Sequence, residues 1–204
     1  LRLDASSDSL LLQGDPDLAY FRESSAKYQS SEFLVLTWEP NARLLSPDSL
    51  DPLAAMVDEL RRIEGVAEVT TLLDVPLLES PPLTLTDLAR ADSMPTLRDS
   101  GVDRELALKE LTTSPVYRNL LVSDEGDLTA VQVVIAGDEE AAALLEVRES
   151  LRAMALRGEI TEPERLKLAQ TEAAYDQALA KLASERDRMV NAVRGAAERF
   201  RPYA

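Results

Sequence analysis

The residues of this chain that could do chemistry are its carboxylates, and four of them come before the first apolar segment. Asp4, Asp8, Asp15 and Asp17 offer the oxygen ligands that Ca²⁺ or Mg²⁺ prefers. Their spacing does not match an EF-hand loop, and residues 14–17, "GDPD", have the composition of a turn. The pattern therefore favours turn formation, and we predict neither a bound metal nor a cofactor.

The residue types that most enzymes use near neutral pH are missing. The chain has no His and no Cys, which removes the usual general base, the commonest zinc ligand and the Ser-His and Cys-His nucleophiles. It has 7 glycines, and none of them forms a phosphate-binding motif such as GxxxxGK or GxGxxG. We predict that the chain is not an enzyme and has no catalytic residue. A hydrolase built on acidic residues stays a remote alternative.

The charge of the chain narrows the classes of partner. There are 37 acidic and 22 basic residues among 204, a net charge of -15. Such a surface repels the phosphates of nucleic acids and of anionic lipid headgroups. No run of about 20 apolar residues is present, and the beginning of the chain does not have the pattern of a signal peptide. We predict no nucleic-acid partner and no membrane span within these residues.

Two candidate binding features remain. Trp38 is the only Trp; it either faces the path of an apolar substrate or is a core aromatic residue. The second feature is an apolar stripe near the C-terminus that contacts a partner protein or a second copy, packs against a neighbouring helix, or does both. Its proposed contact residues are Tyr175, Leu179, Leu182, Met189 and Val193.

The apolar pattern predicts an α+β unit that positions Trp38. Three segments are predicted to be strands of one sheet: residues 33–38, 66–73 and 128–136. A helix over residues 50–63, after Ser46 and Pro47, makes the first two strands a β-α-β unit. The turn at residues 124–127 predicts a hairpin that ends in the third strand. Short helices are predicted over residues 18–28, 86–92 and 103–111.

The region after Gly137 predicts a helical hairpin that carries the apolar stripe. A first helix ends at Arg157-Gly158, and the capping-box pattern of Thr161 and Glu164 begins a second one. Two helices with so short a connection form an antiparallel pair. At ~1.5 Å per residue the second helix approaches 55–60 Å, so we expect it to project from the domain.

The order of several runs resembles a known family. "LRLDASSDSLL", "GDPDLAYFRE", "EFLVLT", "GVAEVTTLLDVPLL" and "LTAVQVVIA" resemble the first periplasmic loop of exporters of the RND superfamily, in the MMPL-like and hopanoid-transporter-like branch. The resemblance covers nearly the whole chain and is most specific before Pro76. Members of the family have twelve membrane helices, with large loops after the first and the seventh. A start at Leu1 without Met fits a loop taken from such a protein.

The resemblance implies a ferredoxin-like porter subdomain, β-α-β-β-α-β, whose closing strand is not found here and is expected beyond Ala204. It implies three regions: a lead-in from the first membrane helix (residues 1–32), the porter subdomain (33–137) and a helical hairpin insertion (138–204). The proton-relay carboxylates of the family lie in its membrane helices, so none is carried over to this chain.

The function implied is that of a periplasmic domain of a proton-driven exporter of lipids or other hydrophobic molecules, at the bacterial inner membrane. The implied partners are the membrane helices and second periplasmic loop of the same transporter, further copies of the parent protein, and a periplasmic protein bound through the hairpin. The alternative is a periplasmic coiled-coil adaptor or scaffold without a role in transport, which the C-terminal helical region alone would suggest.

Overall fold

Three strands and four helices of more than one turn make up the described part of the chain, residues 32–79 and 94–204 of a computed structural model. In chain order they are β1 (Phe33–Trp38), α1 (Pro47–Leu60), β2 (Val66–Thr70), α2 (Arg104–Thr113), β3 (Thr129–Ile135), α3 (Glu139–Leu156) and α4 (Glu162–Phe200). A 3₁₀ turn at Arg201–Tyr203 follows. The predicted α+β class is confirmed. The helices expected at residues 18–28 and 86–92, and the four early aspartates, lie outside the described residues.

The sheet has the strand order β1-β3-β2, and β3 is antiparallel to both of its neighbours. Phe33 lies opposite Val134 and Trp38 opposite Thr129, while Val69 of β2 lies opposite Val133. β1 and β2 are therefore parallel to each other and separated by β3, which is a split β-α-β arrangement with α1 in the connection. The prediction that the three segments form one sheet is confirmed. The other edge of β1 pairs with no strand in the described part of the chain.

Helix α1 covers the buried face of this sheet. Pro47 occupies the first turn, where its missing N–H costs no hydrogen bond. Leu53, Val57 and Leu60 follow at helical spacing and are fully buried; their core cluster includes Val69, Val131 and Val133 of the sheet. The predicted helix is confirmed.

The predicted hairpin before β3 is wrong in its first arm. Leu121 N donates to the carbonyl of Tyr117 at 2.8 Å, and Asn119 N donates to Val122 O at 2.8 Å. Asn119 has a positive φ of 60°, which is incompatible with extended backbone. Ala130 N still donates to Leu121 O at 2.8 Å and Ser123 N to Leu128 O at 3.0 Å, but between the two arms the turns leave an isolated bridge at Val122 and Thr129 and no strand.

Helix α2 confirms the helix expected over residues 103–111. Its cap is Asp103, whose side chain accepts hydrogen bonds from Glu105 N at 3.0 Å and Leu106 N at 3.1 Å. Further along, the buried carboxylate of Glu110 accepts from Leu78 N at 2.7 Å and Glu79 N at 2.9 Å. Two charge-assisted hydrogen bonds thus hold the segment after β2 against α2.

The helical hairpin turns where the sequence predicts. Gly158 has a φ of 72° after the end of α3, and α4 begins after the N-cap Thr161. The Glu164 carboxylate accepts from the backbone N of Thr161 at 2.7 Å and from its hydroxyl at 2.6 Å. With 39 residues, α4 is about 58 Å long.

The C-terminal part of α4 lies in the same core as α1 and the sheet. Met189, Val193 and Ala196 are buried there, and the described residues from 33 onward form one compact unit. Arg199 of α4 also pairs with Glu59 of α1. The C-terminal part of α4 therefore joins the helices after Gly137 to the sheet and α1. The boundary expected between residues 137 and 138 lies inside one compact unit, where the chain changes from mixed strands and helices to helices alone.

Candidate functional site

The candidate residues identified in the sequence lie in three places. Trp38 and Val193 line a groove beside β1, Leu182 and Met189 line a cavity at the base of the hairpin, and Tyr175 lies in the contact between α3 and α4. Leu179 lies one turn after Tyr175 and is 36% exposed. The structure therefore does not gather these residues into one site.

The first place, which we call the edge groove, runs along the free edge of β1. Its volume is about 480 Å³. It is lined by residues 34–38 of β1, by Val190, Val193, Arg194, Ala197 and Glu198 of α4, and by Met56, Arg201 and Ala204. The strand supplies backbone, and the helix supplies a mainly apolar wall. Every second residue of an edge strand directs its N–H and C=O groups away from its partner strand. The edge groove therefore combines free backbone hydrogen-bonding groups with an apolar wall.

Trp38 occupies one end of the edge groove and is 3% exposed. This burial agrees with the prediction that Trp38 is a core aromatic residue. Because Trp38 also lines the groove, the prediction that it faces a substrate path stays a prediction. Its indole Nε1 is buried and has no acceptor among the described residues. An unsatisfied buried donor is costly, and native structures contain few of them.

The second place is the basal cavity, of about 660 Å³, between the connection from β3 to α3 and the middle of α4. Leu182 and Met189 provide apolar lining, and both acidic and basic side chains surround them. Gly65 lies at this cavity with a φ of 89°, and a Cβ there would lie 3.4 Å from Met189 Cγ. A glycine therefore suits both the backbone conformation and the close approach of α4.

The third place is the contact between the hairpin helices. The Arg148 guanidinium lies 4.2 Å from the centroid of the Tyr175 ring, a cation–π geometry. Arg148 is buried and pairs with Glu149 at 3.1 Å. One turn further toward the tip, Arg152 pairs with Glu172 at 2.8 Å. Tyr175 thus packs within the hairpin, which is one of the two predicted roles of the stripe.

A polar cluster that the sequence did not predict lies after β2. Asp74 pairs with Arg61 and with Arg98, each at 2.9 Å, and accepts from the Thr71 hydroxyl at 3.1 Å. Partial burial raises the pKa of Asp74, but the hydrogen bonds and charges of Arg61 and Arg98 outweigh it and hold that pKa below its ordinary value. Since Arg98 is 24 residues away in sequence, no local pattern indicated this cluster.

The residues that could bind a metal ion are not grouped within residues 32–79 and 94–204. No group of three or more His, Cys, Asp or Glu residues is placed there to hold a metal ion. The helices described in these ranges include none that is long and apolar enough to cross a bilayer. Neither a protein-family model nor a curated protein nor a solved structure matches the chain.

Proposed function

We propose that the chain is a periplasmic domain of a proton-driven RND-type exporter of lipids or other hydrophobic molecules, in which it is a docking and conduit module without catalysis of its own. The observation that carries the proposal is the strand order β1-β3-β2 with α1 connecting β1 and β2. This is the order that a ferredoxin-like porter subdomain has before its closing strand. Because unrelated proteins share such arrangements, the proposal needs the resemblance of the sequence runs as well.

The concave surfaces of the unit suit binding better than chemistry. A conduit for hydrophobic molecules needs apolar walls and elements that move as rigid bodies. The edge groove and the basal cavity both lie against α4, and both include apolar side chains. A displacement of α4 would change both cavities together. In this proposal α4 links the concave surfaces to the projecting hairpin, which contacts the remainder of the transporter or a periplasmic partner.

The gene that encodes the chain gives the first test. The proposal expects an apolar span of about 20 residues directly before Leu1 and several such spans after Ala204. A reading frame with neither would overturn it.

Transport by the full-length protein gives the second test. We expect replacement of residues 149–174 by a short Gly-Asn-Gly linker to impair export of a lipid or hydrophobic compound, because the outer hairpin is removed while the α4 segment in the core stays. The matched control is the substitution Gln170→Ala at an exposed polar position of the hairpin, which should leave export unchanged. Expression and membrane insertion are measured for each variant. Normal export by the shortened protein would contradict a docking role of the hairpin.

A periplasmic coiled-coil adaptor is the second candidate, and the antiparallel pair α3 and α4 favours it. Leu156 and Leu166 are 72% and 63% exposed near the tip of this pair, so the tip has apolar surface to offer a partner. A gene with a single membrane anchor, and capture of a partner that the shortened hairpin abolishes without loss of transport, would favour the adaptor.

A further inference from the structure

The edge groove has the properties of an acceptor site for a β-strand. Among residues 32–79 and 94–204, β1 has a strand partner on one side only, and the groove follows its other side over residues 34–38. Unpaired edges of sheets are templates for another strand, and natural sheets normally cover, shorten or charge them. β1 carries no charged residue between Phe33 and Trp38. Its edge is therefore not protected by its own side chains.

A second observation points to an occupant of this groove. The buried Nε1 of Trp38 has no acceptor in the described part of the chain, and Trp38 lies in the lining of the groove. A strand laid along β1 would bring backbone carbonyls to this end of the groove. One of them would satisfy the indole N–H, and the others would pair with the free N–H groups of β1.

We propose that the edge groove binds an extended peptide strand that pairs with β1, places apolar side chains against Val190, Val193 and Ala197, and presents a carboxylate to Arg194. The apolar wall selects the residues that face α4. Arg194, Glu198 and Arg201 are exposed at the rim. Because Glu198 pairs with Arg201 at 3.3 Å, an acidic side chain of the peptide complements the charge of Arg194. The inference does not depend on transport. In a full-length exporter with the closing strand expected beyond Ala204, that strand and the peptide would compete for this edge of β1, so the binding is inferred for residues 1–204.

Two other occupants fit the same observations less well. A hydrocarbon chain would cover the backbone groups of β1 and the Trp38 N–H without offering them hydrogen bonds, which is unfavourable. A second copy whose β1 paired antiparallel, with Phe33 of one copy opposite Trp38 of the other, would bring Glu32 before one strand opposite Glu39 after the other. Like charges opposite one another destabilise a strand pair, and two chains of net charge -15 repel each other.

The test uses the chain of residues 1–204 and the NMR signal of its single indole N–H, which belongs to Trp38. The probe is a short capped peptide of alternating Val and Thr residues with one Glu. We expect saturable binding that moves the indole signal. N-methylation of the peptide residues that face β1 should weaken binding about tenfold per methyl group, because each methyl removes a backbone hydrogen bond. The same number of methyl groups on the alternate residues should have little effect.

Variants of the chain locate the site. Ala197→Phe fills the groove and should weaken binding of the probe about tenfold or more, while Ala183→Phe, on an exposed part of the same helix, should not. Circular dichroism of both variants checks the fold. Arg194→Glu should weaken binding of the Glu-containing peptide and favour a peptide with Lys in its place.

Four results would overturn the inference. They are an indole signal that does not move at millimolar peptide, equal weakening by both methylation patterns, self-association of the chain that moves the signal without peptide, and a movement produced by laurate that the peptide does not produce. None of these results concerns transport, so failure here and failure of the proposed function are separate.

Discussion

The two halves of α4 have the same helical backbone and different surroundings. In the base, residues 186–200, Met189, Val193 and Ala196 are buried in the core with α1 and the sheet. In the tip, residues 162–185, only Thr171 and Tyr175 are buried, and the contact there is with α3. One continuous apolar stripe thus packs against a layered core at one end and a single helix at the other. The comparison indicates that the base holds the fold and that the tip is available to a partner.

The tip should be the weaker half because its interactions are exposed. Its ion pairs, such as Arg165–Glu162 at 3.8 Å, lie on the surface, where such pairs contribute little. Most of the stability of a helix in a protein comes from burial of its apolar face, and that face is covered only in part here. The base has the opposite character, since fully buried side chains surround it.

The largest expected difference is between apolar truncations in the two halves. Met189→Ala should lower the free energy of unfolding by about 2–4 kcal/mol, because it leaves a cavity next to the sheet. Leu166→Ala at the tip, where the side chain is 63% exposed, should change it by less than about 0.5 kcal/mol. Urea unfolding followed by Trp38 fluorescence measures both values. Similar losses for the two variants would remove the distinction between base and tip.

The sequence allowed the elements to be predicted better than their partners. Local patterns were enough to predict three elements. An apolar run predicted β1, the helical spacing of Leu53 and Val57 predicted α1, and a helix breaker at Gly158 followed by an N-cap predicted the turn of the hairpin. The packing of Met189 against the sheet was not predictable in the same way, because an apolar stripe on a helix does not indicate which other element packs against it.

Three further features were not predicted, one because of local turns and two because they depend on parts of the chain that only the fold brings together. The first arm of the hairpin before β3 is lost to turns around Asn119. The pairing of Asp74 with Arg98, and the place of Trp38 in the edge groove, require the tertiary structure. For the candidate site, the sequence therefore identified Trp38 as a candidate residue but did not predict the unpaired edge of β1 beside it.

The next expected difference is between ion pairs in the two regions. Asp74→Asn should lower the free energy of unfolding by about 1–2 kcal/mol at neutral pH, since two arginines lose a charged acceptor that is itself partly buried. Glu172→Gln, which breaks the more exposed pair with Arg152 on the tip, should cost less than about 0.5 kcal/mol. Equal losses would show that burial does not separate these pairs.

The Asp74 pair also predicts a pH dependence. The pKa of Asp74 is lowered in the folded chain, so its stabilisation is fully present above the unfolded pKa of about 4 and is lost as the pH falls through the folded pKa. The gap in stability between the wild type and Asp74→Asn should therefore be constant near neutral pH and close in acid. Urea unfolding of both proteins down to about pH 2 measures it. A gap that widens in acid would contradict the assignment.

The smallest of the three main losses is expected at the cap of α4. Thr161→Ala should cost about 1 kcal/mol, as loss of an N-cap hydroxyl usually does. Hydrogen bonds from Thr161 lower the pKa of Glu164, so the contribution of this carboxylate is present above its ordinary pKa and lost as the pH falls through the lowered value. The control is Thr161→Ser, which keeps the hydroxyl and should behave as the wild type. A loss of stability in Thr161→Ser equal to that in Thr161→Ala would refute the capping explanation.

Amide hydrogen exchange along α4 tests the central claim most directly, namely that its base belongs to the core beside the edge groove and its tip is a separate projecting surface. The account predicts that amides around Met189, Val193 and Ala196 exchange only through global unfolding. Amides around Leu168 and Tyr175 should exchange at least about tenfold faster, through local opening of the hairpin. Uniform protection along the whole helix, or stronger protection at the tip than at the base, would contradict the account.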